Sequence, residues 1–244
     1  MQDWCSTGHE LLDKALGGGY ESEVVTTLYG PSGSGKTNLC MVALAATVLN
    51  GKKAVFIDPE GGFSITRLSQ ILPDFKKYLD QVLLLKPMNF EEQKKSFEKL
   101  KRLVEANDTN IGIIIIDSIS MLYRLEMGKE NDFSNTNREL SAQIATLTEI
   151  ARRKNIPVLV TSQVYSSFDE RDRVNMVGGD ILKYGSKCLI ELEKYASGVR
   201  AAIIRKHRSQ PEGKAALFRI VEQGIEAAEV PAAAPSEKRE NEEK

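Results

Sequence analysis

The strongest constraint on the fold of this 244-residue chain is a glycine-rich run between an apolar β-type segment and an apolar helical one. The run fits G-x-x-x-x-G-K-[ST]. With the residue that follows, its members are Gly30, Pro31, Ser32, Gly33, Ser34, Gly35, Lys36, Thr37 and Asn38. Glycines let successive backbone amides face an anion, and the start of the following helix adds the positive end of its dipole. We therefore predict a phosphate site, in which Lys36 reaches the β- and γ-phosphates and the Thr37 hydroxyl holds Mg²⁺.

The rest of the chain alternates short β-rich runs with amphipathic stretches, which is typical of an α/β protein with a parallel sheet covered by helices on both faces. Ile113–Ile116 is apolar at every position, as expected of a strand buried on both sides. Three later strands, near Cys188–Leu192, Arg200–Arg205 and Ala215–Ile220, are predicted as antiparallel additions to the sheet edge. The other predicted strands are Val24–Tyr29, Ala54–Ile57, Val82–Leu85 and Val158–Thr161, and the predicted helices are Asn38–Leu49, Glu91–Glu105 and Asn137–Arg153.

Acidic residues follow two of the predicted strands, at the edge where open α/β sheets bind their ligands. Asp117 ends the Ile113–Ile116 run and is predicted to hold Mg²⁺ through water, although an aspartate in this position can also cap a turn. Glu60 follows Ala54–Ile57 and is a candidate to orient and deprotonate an attacking water, with a solvated loop residue as the alternative. No N-K-x-D or T-K-x-D sequence follows a strand, so we expect ATP as the nucleotide.

The overall composition excludes several classes of protein. Thirty-three basic and 34 acidic residues give a net charge of −1, so the chain is not basic throughout. No apolar run approaches the roughly 20 residues that a membrane span needs, so we expect no membrane association. Three widely spaced cysteines indicate a reducing compartment, and we expect a cytoplasmic protein. Residues 1–227 are predicted to form one domain, and the Ala-, Pro-, Glu- and Lys-rich residues 228–244 a disordered tail.

Several further motifs, in their order along the chain, resemble those of the RecA-like recombinase ATPases. They are Thr7-Gly8, the Gly17–Gly19 triplet, the glycine-rich run, Asp58-Pro59-Glu60-Gly61, Ile115-Ile116-Asp117-Ser118, Val160-Thr161-Ser162-Gln163-Val164 and Gly178-Gly179-Asp180. The resemblance covers Thr7 to Glu226 and is strongest to the archaeal paralogues of the strand-exchange recombinases. It implies a RecA-like P-loop core, in which the Gln163 strand lies between the strand before the glycine-rich run and the Asp117 strand.

The resemblance also implies roles for particular residues. Glu60 matches the catalytic base, and Gln163 matches the residue that senses the γ-phosphate and couples it to the DNA-binding loops. Arg67 matches an arginine that lies against the adenine. The segments Leu125–Asn137 and Val164–Gly179 match the first and second DNA-facing loops.

Basic residues concentrate between Lys183 and Arg208, which is the only strong basic asymmetry in the sequence. Such residues favour binding to DNA phosphates, although they can also be a solvated strand face. Aromatic residues in the second loop can stack on unpaired bases, which favours single-stranded DNA, or they can pack the loop against the core. The candidate DNA-binding residues are Tyr165, Phe168, Arg171, Arg173, Lys183 and Lys187.

Lys206-His207-Arg208 follows the predicted strand Arg200–Arg205. If that strand continues, Lys206 and Arg208 project to the same side and His207 to the other. In the RecA-like ATPases that this chain resembles, a Lys-x-Arg here reaches the γ-phosphate of an adjacent subunit. We therefore expect a homo-oligomer in which Lys206 and Arg208 act in trans, with a basic surface cluster as the alternative.

The leading functional hypothesis is a weak ATPase, dependent on DNA or oligomerisation, that assists the main recombinase or other repair proteins. The 244 residues contain neither the helix-hairpin-helix domain nor the Phe-x-x-Ala plug of the strand-exchange relatives, and the first loop is acidic, so we do not expect strand exchange itself. The alternatives are a signalling ATPase that acts through protein partners without DNA, a small-molecule kinase, and a DNA-binding module that holds ATP without hydrolysing it.

Overall fold

The computed structural model describes residues 4–106, 110–128, 133–166 and 174–229. Two short 3₁₀ helices lie at Phe75–Gln81 and Ala196–Gly198. In chain order, the strands and α-helices are β1 (Trp4–Cys5), α1 (Glu10–Leu16), β2 (Tyr20–Glu21), β3 (Val25–Tyr29), α2 (Lys36–Leu49), β4 (Lys53–Ile57), α3 (Ile65–Ile71), β5 (Val82–Leu85), α4 (Phe90–Glu105), β6 (Ile111–Ile116), α5 (Ile119–Met127), α6 (Phe133–Lys154), β7 (Val158–Ser162), β8 (Val164–Ser166), β9 (Val174–Met176), α7 (Gly179–Gly185), β10 (Cys188–Lys194), β11 (Val199–Lys206), β12 (Ala215–Val221) and β13 (Gly224–Ala227).

The central sheet has nine strands in the order β13-β12-β11-β10-β3-β7-β6-β4-β5. The six strands from β10 to β5 in that order are mutually parallel, and β11, β12 and β13 extend the sheet in antiparallel pairing. The predicted mostly parallel sheet with antiparallel C-terminal strands is therefore confirmed. The predicted position of β7 is confirmed as well: this strand, which leads to Gln163, lies between β3 and β6.

The prediction for β10 was wrong in one respect, because this strand is not an antiparallel addition. It pairs in parallel with β3, with Cys188 opposite Thr26 and Glu191 opposite Tyr29. Helix α7 lies between β9 and β10, so the chain can return to the sheet in the direction of β3. The antiparallel part of the sheet begins only with β11.

All three predicted helices begin earlier in the structure than in the sequence pattern, α4 by only one residue. Helix α2 starts at Lys36, inside the glycine-rich run, and α6 starts at Phe133. Apolar periodicity reports the buried turns of a helix, so a polar first turn is missed.

The sheet is covered on both faces, as predicted. Ile113 and Ile115 pack with α1, α2 and α3, whereas Ile114 and Ile116 pack with α4, α5 and α6. The predicted buried stripe of α6, formed by Leu140, Ile144, Leu147 and Ala151, is confirmed. Within the described ranges, no helix is both long and apolar enough to cross a bilayer. The predicted tail lies outside the described residues from position 230 onward.

Candidate nucleotide-binding site

The glycine-rich run forms the turn from β3 into α2, at the carboxyl edge of the parallel strands. Gly35 has a φ of 106°, a left-handed conformation that favours glycine, and no side chain caps the helix that begins at Lys36. Gly30 is required by close approach, because a Cβ atom there would lie 2.4 Å from the Leu192 carbonyl oxygen. The first amides of α2 are therefore left for an anion.

Lys36 is folded over this turn. Its Nζ atom donates to the carbonyl oxygens of Gly30, at 2.8 Å, and Pro31, at 3.0 Å. Burial lowers the pKa of Lys36, while the nearby carboxylates of Asp117 and Glu60 act in the opposite direction. The structure therefore brings together the lysine and both of the acidic residues that the sequence analysis selected.

Asp117 is held at the end of β6 by the neighbouring strand β7. The Thr161 hydroxyl donates to Asp117 Oδ1 at 2.5 Å. Burial raises the pKa of Asp117, and the hydroxyls of Thr161 and Thr37 counteract that rise. Thr161 was not predicted as a site residue. The order of the strands, which brings β7 beside β6, is the information that could have found it.

The surroundings of Asp117 fit a magnesium ion. Its buried Oδ2 atom makes no well-formed hydrogen bond within the described part of the chain, although the Thr37 hydroxyl is close enough to lower the pKa of the carboxyl group. A Cβ atom on Gly62 would lie 3.5 Å from Thr37 Oγ1 and 3.9 Å from Asp117 Oδ2, so both oxygens border one space. Carboxylate and hydroxyl oxygens are ligands that Mg²⁺ prefers. The buried Ser34 hydroxyl likewise lacks a described partner, which suits a phosphate-binding turn.

Glu60 and Gln163 are in direct contact. Gln163 Nε2 donates to Glu60 Oε1 at 2.7 Å, although the two residues follow separate strands of the sheet, β7 and β4. The turn that carries Glu60 is anchored by Asp58, whose carboxylate accepts from the amides of Gly62, at 2.9 Å, and Phe63, at 3.1 Å. Asp58 is buried, and its anchoring role was missed because it depends on backbone geometry.

Arg67 uses all five of its N–H donors within the chain. Its Nε atom donates to Asn38 Oδ1 at 2.7 Å, and its remaining N–H groups donate to Gln70 Oε1 and to the carbonyl oxygens of Val221, Glu222 and Gly224. Arg67 therefore ties α3 to the start of α2 and to the turn between β12 and β13. These contacts do not test the predicted position of Arg67 against an adenine, which stays a prediction.

Two basic residues of the C-terminal strands support the glycine-rich turn from outside. Lys194 Nζ donates to the Ser32 carbonyl oxygen at 3.1 Å, and Arg200 Nε approaches the Gly33 carbonyl oxygen at 3.4 Å. Neither was predicted here, since the sequence places both only within the basic segment from Lys183 to Arg208.

The condition that β11 continues through Arg208 is not met. The strand ends at Lys206, and a turn follows in which His207 Nδ1 accepts from the amides of Ser209 and Gln210. Lys206 Nζ donates to the carbonyl oxygens of Lys183, at 2.9 Å, and Ser186, at 2.7 Å. Burial lowers the pKa of Lys206, and the nearby Lys187 and Lys183 lower it further.

Arg208 is paired within its own chain. Its Nη2 atom lies 2.7 Å from Glu21 Oε1, and its Nε atom donates to Glu21 Oε2 at 3.0 Å. The Glu21 side chain is 2% exposed, whereas that of Arg208 is 41% exposed. Both residues predicted to act in trans therefore have partners in cis.

The basic segment does not form a single patch. Arg205 pairs with Glu191 and Glu193, and other basic residues of the segment have the contacts given above. Lys183 and Lys187 are exposed, as is Tyr165, whose residue exposure is 52%. The other predicted DNA-binding residues, Phe168, Arg171 and Arg173, lie outside the described residues, as does part of the predicted first loop.

Comparisons with known proteins agree with this geometry. The Rad51 family model matches residues 4–228. A DNA repair and recombination protein RadB from Methanococcoides burtonii is 41% identical over 88% of this chain and 93% of its own length. One of the same name from Methanobrevibacter smithii is 39% identical over 88% and 92%. A crystal structure of the RadB recombinase superimposes with a TM-score of 0.78 and 38% identity, covering 92% of this chain and all of the other. The chain therefore belongs to the Rad51 family, with its RecA-like fold, and within that family to the RadB proteins.

Proposed function

We propose that this chain is an ATPase of homologous recombination and DNA repair, which hydrolyses ATP weakly by itself and assists the main recombinase. The contact between Gln163 and Glu60 beside Lys36 and Asp117 carries the catalytic part of the proposal. The names of the relatives, DNA repair and recombination protein, support the biological part. Such a protein acts where the chromosome is, in the cytoplasm.

ATP is the nucleotide that the site suits. The amides at the start of α2 and the Lys36 ammonium group would bind the β- and γ-phosphates, and Thr37 and Asp117 would hold Mg²⁺. A bound Mg²⁺ would supply positive charge against the phosphate oxygens. The observation that supports this assignment is the buried Asp117 Oδ2 atom, which makes no well-formed hydrogen bond to the described residues.

Glu60 orients and deprotonates the attacking water. It lies on the turn anchored by Asp58, and Gln163 donates to one of its carboxylate oxygens. A carboxylate held in this way keeps its other oxygen for a water at the γ-phosphate. Gln163 is then placed to respond to the state of that phosphate.

Weak hydrolysis by a lone subunit follows from the contacts of Lys206 and Arg208. A cation that reaches the γ-phosphate from a neighbouring subunit adds roughly 10³- to 10⁵-fold in rate. In this chain both cations contact their own subunit, through Lys183, Ser186 and Glu21. Turnover therefore rises when subunits assemble or DNA brings them together.

DNA binding uses the exposed Lys183 and Lys187 side chains for phosphates and Tyr165 for stacking on a single-stranded base. Phe168, Arg171 and Arg173 contribute from the second loop. This arrangement suits a protein that places or stabilises the main recombinase on single-stranded DNA.

ATP turnover against protein concentration, with and without single-stranded DNA, at two salt concentrations tests the proposal. We expect turnover to rise with concentration and with DNA, and the DNA effect to weaken with salt. Glu60→Gln should bind ATP yet lose turnover, whereas Glu98→Gln, an exposed substitution of the same kind on α4, should not. Turnover that rises with concentration but ignores DNA would favour the signalling ATPase. Normal turnover in Glu60→Gln would remove Glu60 as the base.

A further inference from the structure

Gln163 is held by its backbone as well as by its side chain. Its amide donates to Ser120 Oγ at 3.4 Å, and its carbonyl oxygen accepts from the Val177 amide at 2.9 Å. Its side chain donates to Glu60. One residue thus contacts the candidate catalytic carboxylate, the first turn of α5 and the residue that follows β9.

Two buried serines connect β7 with the last two of these places. Ser162, the last residue of β7, donates from Oγ to the Val177 carbonyl oxygen at 2.8 Å, and its Oγ atom lies 3.2 Å from Ser120 Oγ. Both side chains are almost fully buried, at 0% and 1% exposure. A buried hydroxyl that loses its partner costs free energy, so displacing Gln163 alone is unfavourable. A displacement of Gln163 would therefore also disturb Val177 and the start of α5.

The connected elements lead to the candidate DNA-binding surfaces. Val177 precedes Gly178, the N-cap of α7, and α7 carries Lys183. Ser120 lies in the first turn of α5, whose last residue, Met127, is near the start of the predicted first loop. A cavity of about 150 Å³ adjoins Gln163 and leaves room for a small shift, and it is lined by Ser120, Met121, Arg124, Leu125, Gln163 and Val177.

We propose that Ser162 and Ser120 are positioning residues that transmit the state of the nucleotide from Gln163 to α7 and α5. The inference rests on the proposed function, because it requires a nucleotide at the glycine-rich turn. It goes further by naming the hydrogen bonds that carry the signal. Ser162 joins β7 to the residue before α7, and Ser120 joins β7 to α5.

Amide hydrogen exchange of the full chain, with and without a non-hydrolysable ATP analogue, tests this directly. In the unmodified chain the analogue should slow exchange at residues 30–40, at 119–128 and at 174–185. Ser162→Ala should keep the slowing at 30–40 and lose it at 174–185. Ser120→Ala should lose it mainly at 119–128, and it provides a second test if Ser162→Ala folds poorly.

Thr47→Val is the matched control. Thr47 is also buried, in α2, and its hydroxyl donates to the Ala43 carbonyl oxygen at 2.8 Å. This substitution removes a buried hydroxyl that contacts neither Gln163 nor the two serines. It should leave the slowing unchanged in all three regions, so a general loosening of the core is distinguished from loss of the connection.

The affinity for a single-stranded oligonucleotide gives the functional readout. Coupling between two sites usually changes an affinity by about 5- to 150-fold. The quantity compared is the DNA dissociation constant without the analogue divided by that with the analogue. We expect this ratio to be roughly 2- to 30-fold smaller in Ser162→Ala than in the unmodified chain.

The outcomes separate the two proposals. Two results would overturn the role of the serines and leave the proposed ATPase intact. One is slowing of exchange at 174–185 that persists in Ser162→Ala. The other is an unmodified chain in which the analogue slows exchange at 30–40 but not at 174–185. No response at 30–40 overturns the nucleotide site, and the inference fails with it.

Discussion

Removing the Thr161 hydroxyl tests whether Asp117 holds the metal ion. Thr161→Val keeps a β-branched side chain in β7 but deletes the donor that lies 2.5 Å from Asp117 Oδ1. Because Oδ2 already lacks a described hydrogen bond, the buried carboxylate loses its best partner. A hydrogen bond to a charged group contributes about 1.5–3 kcal/mol, so the charged form becomes less favourable by that amount. Mg²⁺ requires the charged form, and its affinity should fall by about 10- to 150-fold.

The assay is titration of Mg²⁺ into the protein with a fluorescent ATP analogue, repeated between pH 5 and 8. Burial already raises the pKa of Asp117, so protons compete with Mg²⁺ and its affinity falls as the pH is lowered through that pKa. In Thr161→Val the fall should begin at a higher pH, because the pKa rises further. Thr27→Val, whose hydroxyl pairs with a neutral serine, is the control. An unchanged Mg²⁺ affinity in Thr161→Val would refute the assignment of Asp117.

Three further variants test other parts of the site. Lys36→Ala should weaken ATP binding by roughly 10- to 150-fold, because it removes a charged donor to the phosphates; unchanged affinity in a binding titration would exclude a phosphate role. Arg208→Ala should lower the free energy of unfolding in urea by about 1–3 kcal/mol, since it leaves Glu21 without its bidentate partner, and it should depress turnover only where subunits meet. Replacing Lys183 and Lys187 together by alanine should reduce the slope of log affinity against log salt by about 1.4 for single-stranded DNA; an unaltered slope would place the DNA site elsewhere.

Much of the site could be predicted from the sequence because its residues follow strands in local, recognisable patterns. The glycine-rich run specifies its own backbone conformation, because Gly35 can adopt the positive φ that the turn requires. Asp117 follows a strand that is apolar on both faces. The contact between Glu60 and Gln163 joins residues far apart in sequence, and only the resemblance to a known family brought them together. The fold class was predictable for the same reason, since the alternation of strands and helices is itself a local pattern.

The contacts of the basic segment could not be predicted, because net charge does not specify partners. Arg205 and Arg208 have carboxylates beside them, and Lys194 donates to a backbone carbonyl of the glycine-rich turn. Each contact depends on strand register and on the turn at His207, which ends β11. A run of cations in a sequence therefore overstates the charge that a folded surface offers to DNA.

Because Arg208 is paired with Glu21 of its own chain, it could accelerate hydrolysis in a neighbouring subunit less than an unpaired arginine could. To reach a γ-phosphate across an interface, Arg208 must leave Glu21, at a cost of about 1–3 kcal/mol for the bidentate pair. A cation supplied in trans lowers the barrier by about 4–7 kcal/mol, which corresponds to the usual 10³- to 10⁵-fold. The difference leaves roughly 1–6 kcal/mol, so assembly accelerates hydrolysis less than an uncommitted arginine would. We therefore expect this chain to hold ATP with slow turnover, and an assay in which assembly raises turnover by the full 10⁵-fold would contradict this reasoning.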